Sequence, residues 1–254
     1  MEMVPLLLVA AAAGWVDAVV GGGGLLLLPA LLLVFPGAAP ATALGTNKLA
    51  AVSGTAFAGW TYFRRVPVNA NLLLPTFLLA FAFAALGAYV ASSLPAEVFK
   101  PIILLLLVAV GVFVAVRPRF GASPDAPATP TRQKALIAVV LCGVVIGFYD
   151  GILGPGTGTF LIIALTMFLS QGFLQSAAMA KVINTGTNLG ALTVFASQGH
   201  VMWLVGIGLA AANIIGARTG AHMAINRGSG FIRLVLLAVV IAMVLRLTFD
   251  LVAP

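Results

Sequence analysis

From its first residues the chain is a succession of long apolar runs separated by short polar connections. Runs of about bilayer length, roughly 15–22 residues, lie at 48–63, 70–91 and 101–117, and again at 181–197, 201–222 and 231–251. Two further runs, 4–37 and 135–170, are too long for one ordinary span. Both contain glycine: Gly21, Gly22, Gly23 and Gly24 in the first, Gly154, Gly156 and Gly158 around Pro155 and Thr157 in the second. Consecutive glycines break a helix at little cost. Each long run is therefore predicted to form two short helices joined by non-helical backbone. Such backbone persists at membrane depth only where protein or water satisfies it. The pattern predicts an all-α polytopic membrane protein.

Composition agrees. Of 254 residues, 62% are hydrophobic and 7% charged, whereas a soluble domain carries about a quarter charged residues. Lipid is the expected solvent for most of the surface. The net charge of +7 does not signal nucleic-acid binding. The bases stand singly or in pairs in short connections, as positive-inside loops require. The N-terminal Met1, Glu2 and Met3 bring no positive charge, and the apolar run continues well past Ala10 to Ala13. It is expected to remain as a membrane segment rather than to be removed as a signal peptide. Cys142 is the single cysteine, so neither an intramolecular disulfide nor a cysteine metal site is expected.

The polar, proline-rich stretch 118–134 divides the chain into a first half, 1–117, and a second, 135–254. Residues 133 apart match across it: Gly14 with Gly147, Asp17 with Asp150, Gly21 with Gly154, Gly23 with Gly156, Lys48 with Lys181, Gly87 with Gly220, and Lys100 with Arg233. Acids and lysines are rare here, so their coincidence at one spacing points to an internal duplication, an architecture common among secondary transporters. The positive connection follows the second element in one half (Arg64, Arg65) but not in the other (Ser197, Gln198), where Arg218, Arg227 and Arg233 flank the last span. The halves therefore read as inverted, with a cytoplasmic linker. The alternative is four spans in each half and parallel repeats.

The candidate chemistry sits at the glycine runs and at the matched charges. Helix N-termini present amides without intrahelical partners and the positive end of a dipole. Glycines let an oxyanion approach those amides; they also serve tight helix packing. Lys48 and Lys181 each stand at the head of an apolar run, placed either to bind an anion or to snorkel to the interface. Asn47 adjoins the first, and Asn184, Thr187 and Asn188 continue a polar stripe from the second. Asp17 and Asp150, carboxylates inside apolar stretches, are candidates for proton coupling, helix capping or pairing with the lysines. Arg218 and His222 are expected at the mouth of a cavity. No metal site is expected: His200 and His222 are the only histidines, and no His-Glu-x-x-His motif occurs. Two membrane aspartates leave an intramembrane aspartyl hydrolase as a remote alternative, although the Gly-x-Gly-Asp signature is missing. No Walker A motif is present, so active transport would draw on an ion gradient. An anion channel is the other alternative.

The run from Gly14, Trp15 and Asp17 through Gly21–Gly24 to Pro29, followed by Ala43, Leu44, Gly45, Thr46, Asn47 and Lys48, resembles the TauE/SafE family of sulfite exporters. Gly147, Phe148, Tyr149, Asp150 and Gly151 through Gly158, then Ala180, Lys181 and Asn184, repeat it in weaker form. The resemblance covers nearly the whole chain apart from the linker. It implies a non-enzymatic multi-pass transporter of the cytoplasmic membrane that exports sulfite, an organosulfonate or a similar small anion. It implies no cofactor, and self-association would be compatible with it. The halves are not chemically equal: Pro155 matches Gly22, and Ala180 matches Asn47.

Overall fold

The computed structural model describes residues 3–93 and 130–252. The expected span 101–117 and most of the linker lie outside them. Every regular element among the described residues is helical: α1 (Met3–Val20), α2 (Gly24–Val34), α3 (Pro40–Phe63), α4 (Ala70–Ser92), α5 (Arg132–Ile152), α6 (Thr157–Leu169), α7 (Phe173–Ser197) and α8 (Trp203–Val252). Within α5, Leu141–Ile146 winds as a π-helix. The membrane character is plain: α1, α4, α5 and Trp203–Ile232 of α8 are long and apolar enough to cross a bilayer.

Local signals set the helix starts. Pro40 opens α3, where its fixed φ and missing N–H cost nothing. The Asn69 side chain accepts the Asn71 amide at 3.1 Å before α4, and Thr131 accepts that of Lys134 at 3.3 Å before α5. The glycine runs interrupt the helices as expected, but each joins a membrane-length helix, α1 of 18 residues or α5 of 21, to a shorter one rather than two short helices. The chain leaves α1 through Gly21 at φ +83° and α5 through Gly154 at φ +87°, left-handed conformations that glycine adopts without penalty. It then turns back. A Cβ on Gly23 would strike the Ala13 carbonyl and the Asp17 side chain, so α2 returns along α1. Phe160 of α6 likewise returns to Tyr149 of α5, ring edge to face at 5.5 Å. At 11 residues, α2 extends about 16 Å, roughly half the hydrocarbon thickness.

Helices α3 and α7 form the centre and run antiparallel. Gly59 near the end of α3 lies against the Lys181–Val182 backbone early in α7, while Gly45 lies against Phe195 and His200 at the other end. Helix α1 packs parallel to α8, with Gly14 against Asn213, Gly216 against Ala11 and Gly220 against Trp15. Helix α5 packs parallel to α4 in the same manner, with Gly143 against Leu79, Gly147 against Ala80 and Gly151 against Ala84. Small residues bring these backbones together where no hydrophobic effect drives helix to helix. Asn213 adds a hydrogen bond across the first pair, Nδ2 to the Ala10 carbonyl at 3.2 Å.

Two sequence expectations change. Helices α3 and α7 begin at Pro40 and Phe173, eight residues before the apolar runs suggested, because polar residues such as Thr42, Thr46, Gln175 and Ser176 dilute the hydropathy of central helices that lipid hardly touches. Lys48 and Lys181 therefore lie more than two turns inside their helices and are 1% and 0% exposed, which rules out snorkelling. Arg132 and Lys134 belong to α5 rather than to the linker. The two final runs stay distinct within α8, separated by a non-helical break at Gly228 (φ 71°, ψ −165°).

A Gly216→Val substitution places a branched side chain on the Ala11 carbonyl. It is expected to destabilise the protein by about 1–3 kcal/mol, as overpacking does. Gly37→Ala, where nothing lies within 4 Å of the added carbon, is expected to leave thermal unfolding in detergent unchanged.

Candidate functional site

The two chain breaks meet inside the bundle. Gly21 and Gly158 face one another backbone to backbone, and neither position has room for a Cβ. The Thr159 hydroxyl donates to the Val20 carbonyl at 2.9 Å, which ties the start of α6 to the end of α1. Gly24, first residue of α2, lies beside Pro155, with the Asn47 side chain against it. Structural duty and site duty coincide here: the same glycines permit the reversals and bring the two reversals into contact.

Each break is held by a lysine from the opposite half of the chain. Lys48 of α3 donates from Nζ to Asp150 Oδ2 at 2.7 Å, with both side chains buried. The Thr157 hydroxyl donates to Asp150 Oδ1 at 2.6 Å. One carboxylate thus anchors the end of α5, the start of α6 and the middle of α3. Lys181 of α7 donates from Nζ to the carbonyl oxygen of Asp17. A cation near a helix C-terminus, where carbonyls lack partners, also answers the dipole. The Asp17 carboxylate instead accepts the Gly23 amide at 3.4 Å and so caps the start of α2. The position 133 before Thr157 is Gly24, which has no hydroxyl to offer the Asp17 carboxylate.

Asn47 is the anomaly. It is 4% exposed, and its Oδ1 is buried without a hydrogen-bond partner among the described residues. A buried amide normally finds partners, and leaving one unpaired costs about 1–3 kcal/mol. It lies next in sequence to Lys48 and against Gly24, at the crossing of the two breaks.

The residues singled out in the sequence therefore divide. Asp17, Gly21, Gly23 and Lys181 gather at the first break, Lys48, Gly154, Asp150 and Thr157 at the second, and Asn47, Gly24 and Gly158 between them. Gly22 and Gly156 complete the turns. Asn184, Thr187 and Asn188 are buried but bond among themselves: Thr187 donates to Asn184 Oδ1 at 3.0 Å and Asn188 donates to it at 3.4 Å. Asp17 and Asp150 each have separate partners and do not form a carboxylate dyad of the kind an aspartyl hydrolase shares a proton across. His222 lies at one end of the bundle in a pocket with Arg64 and Arg65. The sequence reading missed the hydroxyls that brace the breaks, Tyr62 to the Ala18 carbonyl at 3.1 Å and Tyr149 to that of Pro155. Tyr149 carried a signal, being a rare tyrosine beside the buried Asp150; Tyr62, at the end of an apolar run, carried none.

A polytopic helical membrane protein with paired chain breaks bridged by buried charges has the architecture of a membrane transporter. Residues 6–247 match the family described as Sulfite exporter TauE/SafE, and the chain belongs to that family. It is 36% identical to a probable membrane transporter protein of Sinorhizobium sp over 222 residues, which cover 87% of this chain and 83% of that one. It is 34% identical to a probable membrane transporter protein of Haemophilus influenzae, over 87% and 85% of the two chains. Against the probable membrane transporter protein YfcA of Escherichia coli the identity is 31%, over 87% and 80%. No solved structure matches the chain significantly.

Lys48→Met leaves Asp150 buried and uncompensated and is expected to cost about 3–5 kcal/mol. Adding Asp150→Asn removes the orphan charge while keeping an acceptor for Thr157. The double variant is expected to regain most of the loss in equilibrium unfolding in mixed micelles.

Proposed function

We propose that the protein is a secondary transporter of a small anion across the cytoplasmic membrane, and that the anion binds where the two chain breaks cross. The crossing of the two chain breaks at the starts of α2 and α6, with the Asn47 side-chain NH2 against Gly24 and the buried Lys48 and Lys181 at the breaks, is the observation that carries this reading. An anion there would accept from the Asn47 side-chain NH2 and from main-chain amides of Gly22, Gly24 and Gly158. The positive ends of α2 and α6 would balance its charge. Lys48 and Lys181 border the same site, and their present partners define its shape. The family's name favours sulfite or a related organosulfur anion as substrate, with export as the direction.

In this reading the chain consists of two inverted repeats, 1–117 and 135–254, joined by the linker 118–134. The support is threefold. The charged and glycine positions match at a spacing of 133. The helices of the two halves start at nearly the same spacing: α2 and α6 at 24 and 157, α3 and α7 at 40 and 173, α4 and α8 at 70 and 203. The matched α3 and α7 run antiparallel, as a two-fold axis in the membrane plane requires. Transport would then proceed by rocking of the repeats about the crossed breaks, with each break facing one side in turn.

Proteoliposomes loaded to measure uptake of sulfite and of a small organosulfonate, with and without a pH gradient, test the site. Wild type is expected to show saturable flux. Asn47→Leu should reduce it by about tenfold or more, the loss of a hydrogen bond to a charged ligand, without lowering thermal stability. Lys181→Ala is expected to abolish flux. Unchanged flux in Asn47→Leu would remove the proposed site, and a folded wild type that moves neither anion would remove the sulfur-anion assignment. For orientation, single cysteines at Asn69 and Gln198 in a Cys142→Ser background are expected to react with an impermeant maleimide from opposite sides of the membrane. Labelling from one side would show parallel repeats.

A further inference from the structure

At the end of α3 a pocket of about 400 Å³ is lined by Trp60, Thr61, Arg64, Arg65 and His222. No carboxylate lines it among the described residues, so two guanidiniums and an imidazole share it without a counter-ion. The Arg64 guanidinium lies 5.5 Å from the centre of the Trp60 ring, a cation–π contact that holds it in place. Trp60 is 62% exposed and nearby Phe63 is 50% exposed. Exposed apolar rings, Trp60 lining it and Phe63 nearby, thus stand beside a pocket whose other lining residues are polar or charged. It lies where α3 ends, at the level where tryptophan and arginine mark the boundary of hydrocarbon and headgroups.

The cluster belongs to one end of the molecule only. The residues 133 positions away are Thr193 for Trp60, Ser197 for Arg64, Gln198 for Arg65 and Tyr89 for His222. A transported anion has to bind and leave at both mouths, so a cationic collar at one mouth is poorly matched to it. A ligand confined to one leaflet fits the asymmetry, and anionic headgroups at the cytoplasmic surface attract such basic pockets. We propose that this pocket binds the phosphodiester headgroup of an anionic phospholipid. Arg64 and Arg65 hold the phosphate oxygens, His222 supplies a further donor, and Trp60 packs against the glycerol and upper acyl chain. This site is independent of the transport site.

The test uses the full chain in neutral detergent with Trp60 as its only tryptophan, through Trp15→Phe and Trp203→Phe. Its fluorescence is followed during titration with dioctanoyl phosphatidylglycerol, dioctanoyl phosphatidylcholine or inorganic phosphate. Saturable change is expected with phosphatidylglycerol alone. Arg64→Gln with Arg65→Gln is expected to weaken it roughly thirtyfold, from about 1 kcal/mol for each arginine, and His222→Gln to weaken it less. Circular dichroism and thermal unfolding identical to the parent confirm that these variants fold. An equal response to phosphatidylcholine, or an unweakened response in the double variant, would overturn the proposal. Inorganic phosphate acting at the same concentration as the lipid would reassign the pocket to free oxyanions.

Discussion

Lys48 and Asp150, 102 residues apart in sequence, meet at 2.7 Å in a part of the bundle from which solvent is excluded. Neither charge could be left there alone, since uncompensated burial costs several kcal/mol per ion. Their meeting fixes the depth of α3 relative to α5. Because Asp150 also accepts from Thr157, it fixes the turn between α5 and α6 as well. Much of the interior follows. The turn brings Gly158 onto Gly21, and the contact of those two glycines sets where α1 must end. Lys181 then closes the arrangement from the other side through the Asp17 carbonyl.

The packing around this centre is equally constrained. Backbones approach so closely along α1 and α8, and along α4 and α5, that a single added carbon would overlap a carbonyl at several positions. In lipid, such contacts and the hydrogen bonds between helices replace the hydrophobic drive that folds soluble domains. The polar content of α3 and α7 is the counterpart. These two helices are enclosed by the apolar ones, so their threonines, asparagines and lysines meet protein rather than lipid. A pair of polar central helices with apolar helices around them is what a membrane protein needs to keep an aqueous solute away from hydrocarbon.

How far this could be read from the sequence depended on which physical signal each residue leaves. The glycine runs and the matched aspartates and lysines were legible because their residue types are rare or conformationally singular in apolar segments, and both glycine runs are indeed chain reversals. The partners of the charges were not legible. Pairing of Lys48 with Asp150, and of Lys181 with the main chain at Asp17, depends on how the halves interlock, which no local pattern encodes. The starts of α3 and α7 were misplaced for a related reason: hydropathy measures suitability for lipid, and these helices are not in lipid. The stripe of Asn184, Thr187 and Asn188 lies buried on α7, where Thr187 and Asn188 both donate to the Asn184 side chain. Asn47, beside a more conspicuous lysine, emerged as the unsatisfied group only from its surroundings.

The interlocking of the halves has a consequence for biogenesis. Helix α1 takes its main packing partner from α8, whose near end lies about two hundred residues further along, and Lys48 waits 102 residues for Asp150. At about 5–20 residues per second, a ribosome takes about 5–20 s to supply that aspartate after the lysine emerges. During this interval a lysine at full depth in lipid would cost about 2.5–3.5 kcal/mol. Helix α3 therefore gains the counter-charge for its buried lysine only after the second half has been made. The contacts that join the two halves, Lys48 with Asp150, Lys181 with Asp17 and α1 with α8, can form only once the later partner has been synthesised.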